Sequence, residues 1–135
     1  MNLINKNFVV VDDKKVFLKD VVAIIKWSKG FKLIQMNSDI LDITDERMAK
    51  RFGEKLEEKI NFVFFENRYL NLEAVKSVKV KILAANKEYS VVADFGERVE
   101  TFNFESEPAA EEFKKQITRA INNYQYNRKH AGLTR

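Results

Sequence analysis

Cationic and aromatic side chains alternate in one short segment of the chain, Lys26-Trp27-Ser28-Lys29-Gly30-Phe31-Lys32. This combination is suited to a single-stranded nucleic acid, because lysines neutralise phosphates while aromatic rings stack on bases. A matching segment later in the chain has the same two kinds of side chain. The sequence therefore predicts nucleic-acid contacts at Lys26, Trp27, Lys29, Phe31, Lys32, Lys79, Lys81, Lys87 and Tyr89.

The aromatic residues of these segments also fit ordinary structural roles. In an extended strand, Lys26 and Trp27 point to opposite faces, so a bulge must intervene if both are to reach one ligand. Trp27 is equally typical of a partly buried ring whose N–H reaches the rim, while Phe31 and Tyr89, which align with each other, are typical of core. The lysines are therefore the safer predicted contacts.

Positive charge is concentrated near the first of these segments. The whole chain has a formal net charge of +4, with 24 basic and 20 acidic side chains. From Lys14 to Lys32, however, six lysines accompany one acid, Asp20. This excess indicates either a solvated sheet face that discourages edge pairing or a phosphate-binding surface.

The residue types argue against catalysis. The chain has no Cys and one His, His130, which excludes thiol nucleophiles and most transition-metal sites. The carboxylate pairs Asp12/Asp13, Asp39/Asp42 and Glu111/Glu112 fall in predicted turns or on exposed helix faces, where nothing distinguishes an acid from a base. No glycine belongs to a phosphate loop. We expect a protein that is not an enzyme, with no catalytic residue, metal or cofactor.

Length and hydropathy define the broad class. A chain of 135 residues, 45% hydrophobic, holds one compact domain or two small units that share a core. It has no apolar run of membrane-spanning length, and its first residues lack the features of a secretory signal. These features predict a cytoplasmic protein without a membrane span.

The chain repeats itself. Residues 7–21 align with 61–75 at a constant offset of 54, and residues 45–60 align with 106–121 at an offset of 61. The same order of apolar and turn residues recurs in both halves, which indicates a tandem duplication. The predicted organisation is a first repeat at 1–60, a second repeat at 61–121 and a basic C-terminal extension at 122–135.

Each repeat has the pattern of a small sheet followed by a helix. An apolar run, a polar pair (Asp12-Asp13 or Glu66-Asn67) and a second apolar run predict a β-hairpin. A three-residue spacing, Leu18-Val21-Ile24 in the first copy, indicates a bulge or corner before the next strand. Two more strands are predicted after that one, the last at Ile40–Ile43 in the first copy and at Val99–Phe104 in the second. The period then lengthens to nearly four, which predicts a helix. The predicted fold is α+β, with two repeats of about four mostly antiparallel strands plus one C-terminal helix, packed as a pseudo-symmetric pair.

Two features leave alternatives open. The tail from Asn122 either prolongs the second helix or forms a flexible cationic arm, in which Arg128 and Lys129 add affinity for a polyanion. The strands Phe8–Val11 and Phe62–Phe65 are apolar on both faces, and burial inside the pair or in a homodimer would satisfy them equally.

The turn and strand at Lys29-Gly30-Phe31-Lys32-Leu33, with the helices at 45–60 and from Ser106-Glu107-Pro108-Ala109-Ala110 to Phe113, resemble the PUR repeat of the Whirly-like class. That resemblance implies two intertwined repeats that bind single-stranded DNA or RNA through their sheets. The Leu18-Val21-Ile24 spacing also resembles small bacterial β-rich modules, including pleckstrin-like ones, whose roles are protein or lipid-headgroup binding.

Two functions follow from these patterns. The first is a regulatory protein that binds single-stranded nucleic acid on a basic sheet surface. The second is a non-enzymatic protein-interaction module, such as a bacterial or phage regulator, that binds a protein partner.

Overall fold

The computed structural model describes residues 2–83 and 88–131. These residues form an α+β fold with eleven strands and two α-helices, and every strand pair in it is antiparallel. The second helix is the last element of the chain. None of the helices in the described part is both long and apolar enough to cross a membrane.

The elements follow one another in two similar series. The first is β1 (Leu3–Ile4), β2 (Phe8–Val11), β3 (Lys14–Phe17), β4 (Val21–Trp27), β5 (Gly30–Gln35), β6 (Ile40–Ile43) and α1 (Glu46–Glu57). The second is β7 (Phe62–Phe65), β8 (Arg68–Asn71), β9 (Ser77–Leu83), β10 (Glu88–Asp94), β11 (Val99–Phe104) and α2 (Glu107–Ala131). After the short β1, each described series has five strands before its helix, where about four were expected.

The two hairpins have the same register at the offset of 54 found in the sequence. Val9 pairs with Val16 in the first, and Val63 pairs with Leu70 in the second. The predicted polar pairs form the turns. Asp12 and Asp13 adopt φ of 49° and 66°, a region that Asp and Asn tolerate best, and Glu66 adopts φ of 55°.

The corner predicted after the first hairpin is confirmed. A single turn of 3₁₀-helix spans Leu18–Asp20, and the pairing of β4 with β5 shifts register between Val21 and Ala23. The three-residue apolar spacing therefore marks a change of chain direction, followed by a bulge.

The described strands form three sheets, ordered β1-β2-β3, β6-β5-β4-β8-β7 and β11-β10-β9. The five-stranded sheet joins both series, because β8 pairs with β4 through Ala23 with Leu70 and Ile24 with Tyr69. The chain accordingly divides into compact units at Met1–Ala74 and Val75–Arg135. This division falls after the second hairpin, whereas the sequence repeats meet at residue 60.

In the first unit, α1 packs its apolar stripe on the five-stranded sheet. Asp45 caps the helix, and its Oδ1 accepts a hydrogen bond from the Met48 amide at 2.9 Å. Phe52 is buried and meets Phe31 of β5 edge to face, with ring centroids 5.1 Å apart. The helix was expected to extend to Ile60, but it ends at Glu57, and Ile60 is exposed.

In the second unit, α2 covers one face of the sheet β11-β10-β9. Its Phe113 ring lies 4.8 Å from Phe102 and 4.9 Å from Phe104. Arg128 and Lys129 lie within α2, so the tail prolongs the helix as far as Ala131 and does not begin as a free arm.

Candidate nucleic-acid interface

The turn between β4 and β5 positions the residues that the sequence identified first. Gly30 sits at φ of 144°, and a Cβ at this position would collide with the carbonyl oxygen of Ile43. A residue without a side chain therefore lets the turn approach the end of β6. Trp27 and Lys29 project from this tightly fixed turn.

Strand register separates the predicted contacts between two faces of the sheet. Trp27 pairs with Gly30, and Lys32 pairs with Ile25 and Asp42, so Trp27 and Lys32 share one face. Lys26 pairs with Phe31 on the other face, the one that carries α1. The strand pairing thus confirms the prediction that Lys26 and Trp27 point to opposite faces of the sheet.

Trp27 is partly buried beneath two ammonium groups. The Nζ of Lys32 lies 4.5 Å from the Trp27 ring, and the Nζ of Lys29 lies 5.7 Å from it, both within cation–π range. Lys32 also donates to Oδ1 of Asp42 at 3.1 Å. The ring N–H of Trp27 is buried, does not reach the rim, and has no hydrogen-bond partner among the described residues.

Four of the predicted residues line one open groove of about 860 Å³. We call it the turn groove. Its walls come from the β4–β5 turn, from α1 and from β8, and its lining comprises Lys26, Trp27, Ser28, Lys29, Gly30, Phe31, Thr44, Glu46, Ala49, Lys50, Gly53, Glu54, Glu57 and Tyr69. Phe31 is buried against Phe52, so its ring belongs to the floor and offers no free face for stacking.

The charges of the turn groove balance. Lys26, Lys29 and Lys50 face it together with Glu46, Glu54 and Glu57, which gives three cations and three carboxylates. Such a site can bind a ligand that carries both anionic groups and hydrogen-bond donors. No group of three or more His, Cys, Asp and Glu side chains within the described residues is arranged to hold a metal ion.

The predicted contacts from the second half lie in the other unit. Lys79 and Lys81 are exposed on β9 and share a face with Ser90 and Val92, to which they pair. Tyr89 lies on the opposite face, with Phe104, where α2 packs. Lys87 lies outside the described residues. Arg128 and Lys129 are exposed on α2.

The sequence did not indicate Tyr69 as a site residue. It lines the turn groove and meets Phe64 edge to face, with ring centroids 5.0 Å apart. Its position depends on the pairing of β8 with β4, which joins segments far apart in the chain. The sequence alone predicts only that Tyr69 belongs to the second hairpin.

The chain matches no known protein-family model, no curated protein and no solved structure. Any functional assignment therefore depends on the geometry of these side chains.

Proposed function

We propose that this protein is a non-enzymatic, cytoplasmic regulator that binds single-stranded nucleic acid. The observation that carries the proposal is the set of side chains around Trp27, where an aromatic ring, two lysine ammonium groups and an open groove occur together. Single-strand binders combine these components, since rings stack on bases and lysines track phosphates.

The turn groove supplies a role for each group. Tyr69 provides an aromatic surface for a base, Trp27 borders the groove at the turn, and Lys26 and Lys29 lie in the same groove for the phosphates that flank the base. Carboxylates such as Glu54 are acceptors for the exocyclic amino groups of bases.

Fluorescence polarisation of labelled single-stranded DNA and RNA, with a duplex as the comparison, tests this proposal. We expect salt-sensitive binding that prefers single strands and quenches the fluorescence of Trp27, the only tryptophan of the chain. Lys29→Gln should weaken binding, whereas Lys76→Gln, which removes an exposed lysine that does not line the turn groove, should not. Absence of binding at low salt would contradict the proposal.

The proposal includes an origin by tandem duplication and a relationship to PUR-like repeats. Its support is the identical register of the two hairpins and the shared order of elements. In both hairpins the amide that follows the second strand donates to the residue before the first strand, Leu18 to Asn7 O at 2.9 Å and Leu72 to Asn61 O at 2.7 Å.

A protein-interaction module is the second candidate, favoured by the edge strand β7. In the described sheet, β7 has a strand neighbour on one side only, and Phe64 on it is 51% exposed. An exposed apolar edge is a template for addition of a partner strand. This function predicts a stoichiometric partner that survives nuclease treatment in a pulldown and is lost on Phe64→Asp.

A further inference from the structure

The first hairpin presents an apolar face whose aromatic side chains the sequence did not identify as ligand contacts. Register places Leu3 beside Val10, Val10 beside Lys15, and Phe8 beside Phe17, so these five side chains share one face of the sheet β1-β2-β3. We call it the hairpin face. Leu3 is 43% exposed and Phe17 is 41% exposed, whereas Val9 and Val16 on the opposite face are buried.

The two phenylalanines of the hairpin face enclose a lysine. Their rings lie 6.0 Å apart at an interplanar angle of 70°. The Nζ of Lys15 is 4.1 Å from the Phe8 ring and 5.1 Å from the Phe17 ring, and the Nζ of Lys19 is 5.8 Å from the Phe17 ring. The hairpin and the turn of 3₁₀-helix that follows it thus offer two rings and two cations at one place.

A cationic groove of about 390 Å³ adjoins the hairpin face at Phe17. The charged residues that line it are Lys6, Lys19, Lys59 and Glu73. Three lysines and one carboxylate face it, a balance of +2, whereas the turn groove is neutral. The Nζ of Lys59 donates to the carbonyl oxygen of Lys6 at 2.6 Å, which holds one cation at the rim.

We propose that the hairpin face and this cationic groove form a second contact surface for single-stranded nucleic acid. Bases stack on Phe17 and Phe8, and phosphates bind Lys15, Lys19 and the lysines of the cationic groove. The inference rests on the proposed function and adds what the turn groove lacks, an uncompensated positive charge beside an exposed ring. A stacked base replaces the lysine ammonium on the ring, and that ammonium then pairs with a phosphate.

Matched substitutions on the hairpin test this surface. Phe17→Ala should weaken binding of a single-stranded oligonucleotide about tenfold or more, since it removes one stacking ring. Lys15→Gln should weaken binding, while Lys14→Gln, which removes the neighbouring lysine of the other face, should have little effect. Equal effects of Lys14→Gln and Lys15→Gln would mean that the hairpin acts through general charge alone, and would overturn the proposal.

A fluorescent reporter gives a direct test of contact. In a Trp27→Phe background, Phe17→Trp places the only indole on the hairpin face, and a saturating oligonucleotide should quench it. Binding without quenching overturns the second surface and leaves the proposed function intact. If the wild-type protein binds no oligonucleotide, both fail. Binding of the wild-type protein to anionic lipid vesicles that competes with the oligonucleotide would assign the hairpin face to a lipid surface instead.

Discussion

One buried amide distinguishes the two hairpins at the residue scale. Asn71 is 1% exposed, and its Nδ2 donates to the Val21 carbonyl oxygen at 2.9 Å. Its Oδ1 accepts from Asn61 Nδ2 at 2.9 Å and from the Glu73 amide at 3.1 Å. A buried amide is tolerated because its polar atoms are bonded, so Asn71 fixes the end of β8 to the start of β4. At the offset of 54, the corresponding residue of the first hairpin is the exposed Phe17.

Replacement of Asn71 tests this role. Asn71→Ala removes the donor to Val21 O and leaves two other groups without their acceptor, so we expect the free energy of unfolding to fall by about 2 kcal/mol. Asn67→Ala removes an exposed bond between adjacent residues and should cost less than about 0.5 kcal/mol. Urea unfolding followed by circular dichroism measures both. Similar losses in the two variants would contradict a structural role for Asn71.

The residue scale also shows what alternation along the sequence can predict. The opposite faces of Lys26 and Trp27 follow from strand period and are observed. The position of Tyr69 in the turn groove does not follow from any local pattern, because it requires β8 to pair with β4. The hairpin face was missed for a different reason. Lys15, Phe17 and Lys19 do alternate in the sequence, but the apolar residues of the first β-hairpin are as typical of a buried core as of an exposed binding face.

At the scale of elements, two glycines act in opposite ways. Gly30 permits a turn that no side chain fits, whereas Gly53 lies within α1, where its missing Cβ has room. A Cβ on Gly53 would meet the Phe31 ring at 3.4 Å, an ordinary contact. Glycine in a helix interior is less favourable than alanine because it loses more backbone entropy on folding.

Gly53→Ala should therefore raise the free energy of unfolding by up to about 1 kcal/mol. Gly30→Ala should lower it by at least about 1 kcal/mol, because the new Cβ meets backbone and the φ angle disfavours any side chain. Thermal unfolding of the two variants, compared with wild type, shows whether each substitution stabilises or destabilises the protein. Destabilisation by Gly53→Ala would show that α1 packs on Phe31 more tightly than the structure indicates.

Elements were predictable where the signal is local. The hairpin turns, the strands Ile40–Ile43 and Val99–Phe104, and the helix starts at Asp45 and Ser106 all depend on neighbouring residues, and the structure shows them. Which strands belong to which sheet depends instead on which strand edges pair with one another. The β7–β8 hairpin meets β4 through the buried Leu70 and through the hydrogen bond from Asn71 to the Val21 carbonyl oxygen, contacts between segments far apart in the chain.

At the scale of the whole molecule, the distribution of charge matters more than the modest net charge of +4, because the charged side chains are unevenly placed. Carboxylates balance the lysines of the turn groove one for one, whereas the cationic groove beside Phe17 has three lysines and one carboxylate. Counterion release depends on the number of phosphates neutralised and not on net charge, so salt dependence can separate the two surfaces.

The slope of affinity against salt is the corresponding prediction. If Lys26 and Lys29 alone contact phosphates, log K should fall with log salt at a slope of about −1.4, a loss of roughly 7-fold between about 50 and 200 mM. If Lys6, Lys15, Lys19 and Lys59 contribute as well, the slope should approach about −4.2, a loss of roughly 340-fold. We expect the steeper slope, which Lys19→Gln should reduce by about 0.7 and Lys76→Gln should leave unchanged. A slope near about −1.4 would contradict the second surface. Affinity that does not change with salt concentration would contradict nucleic-acid binding by any of these lysines.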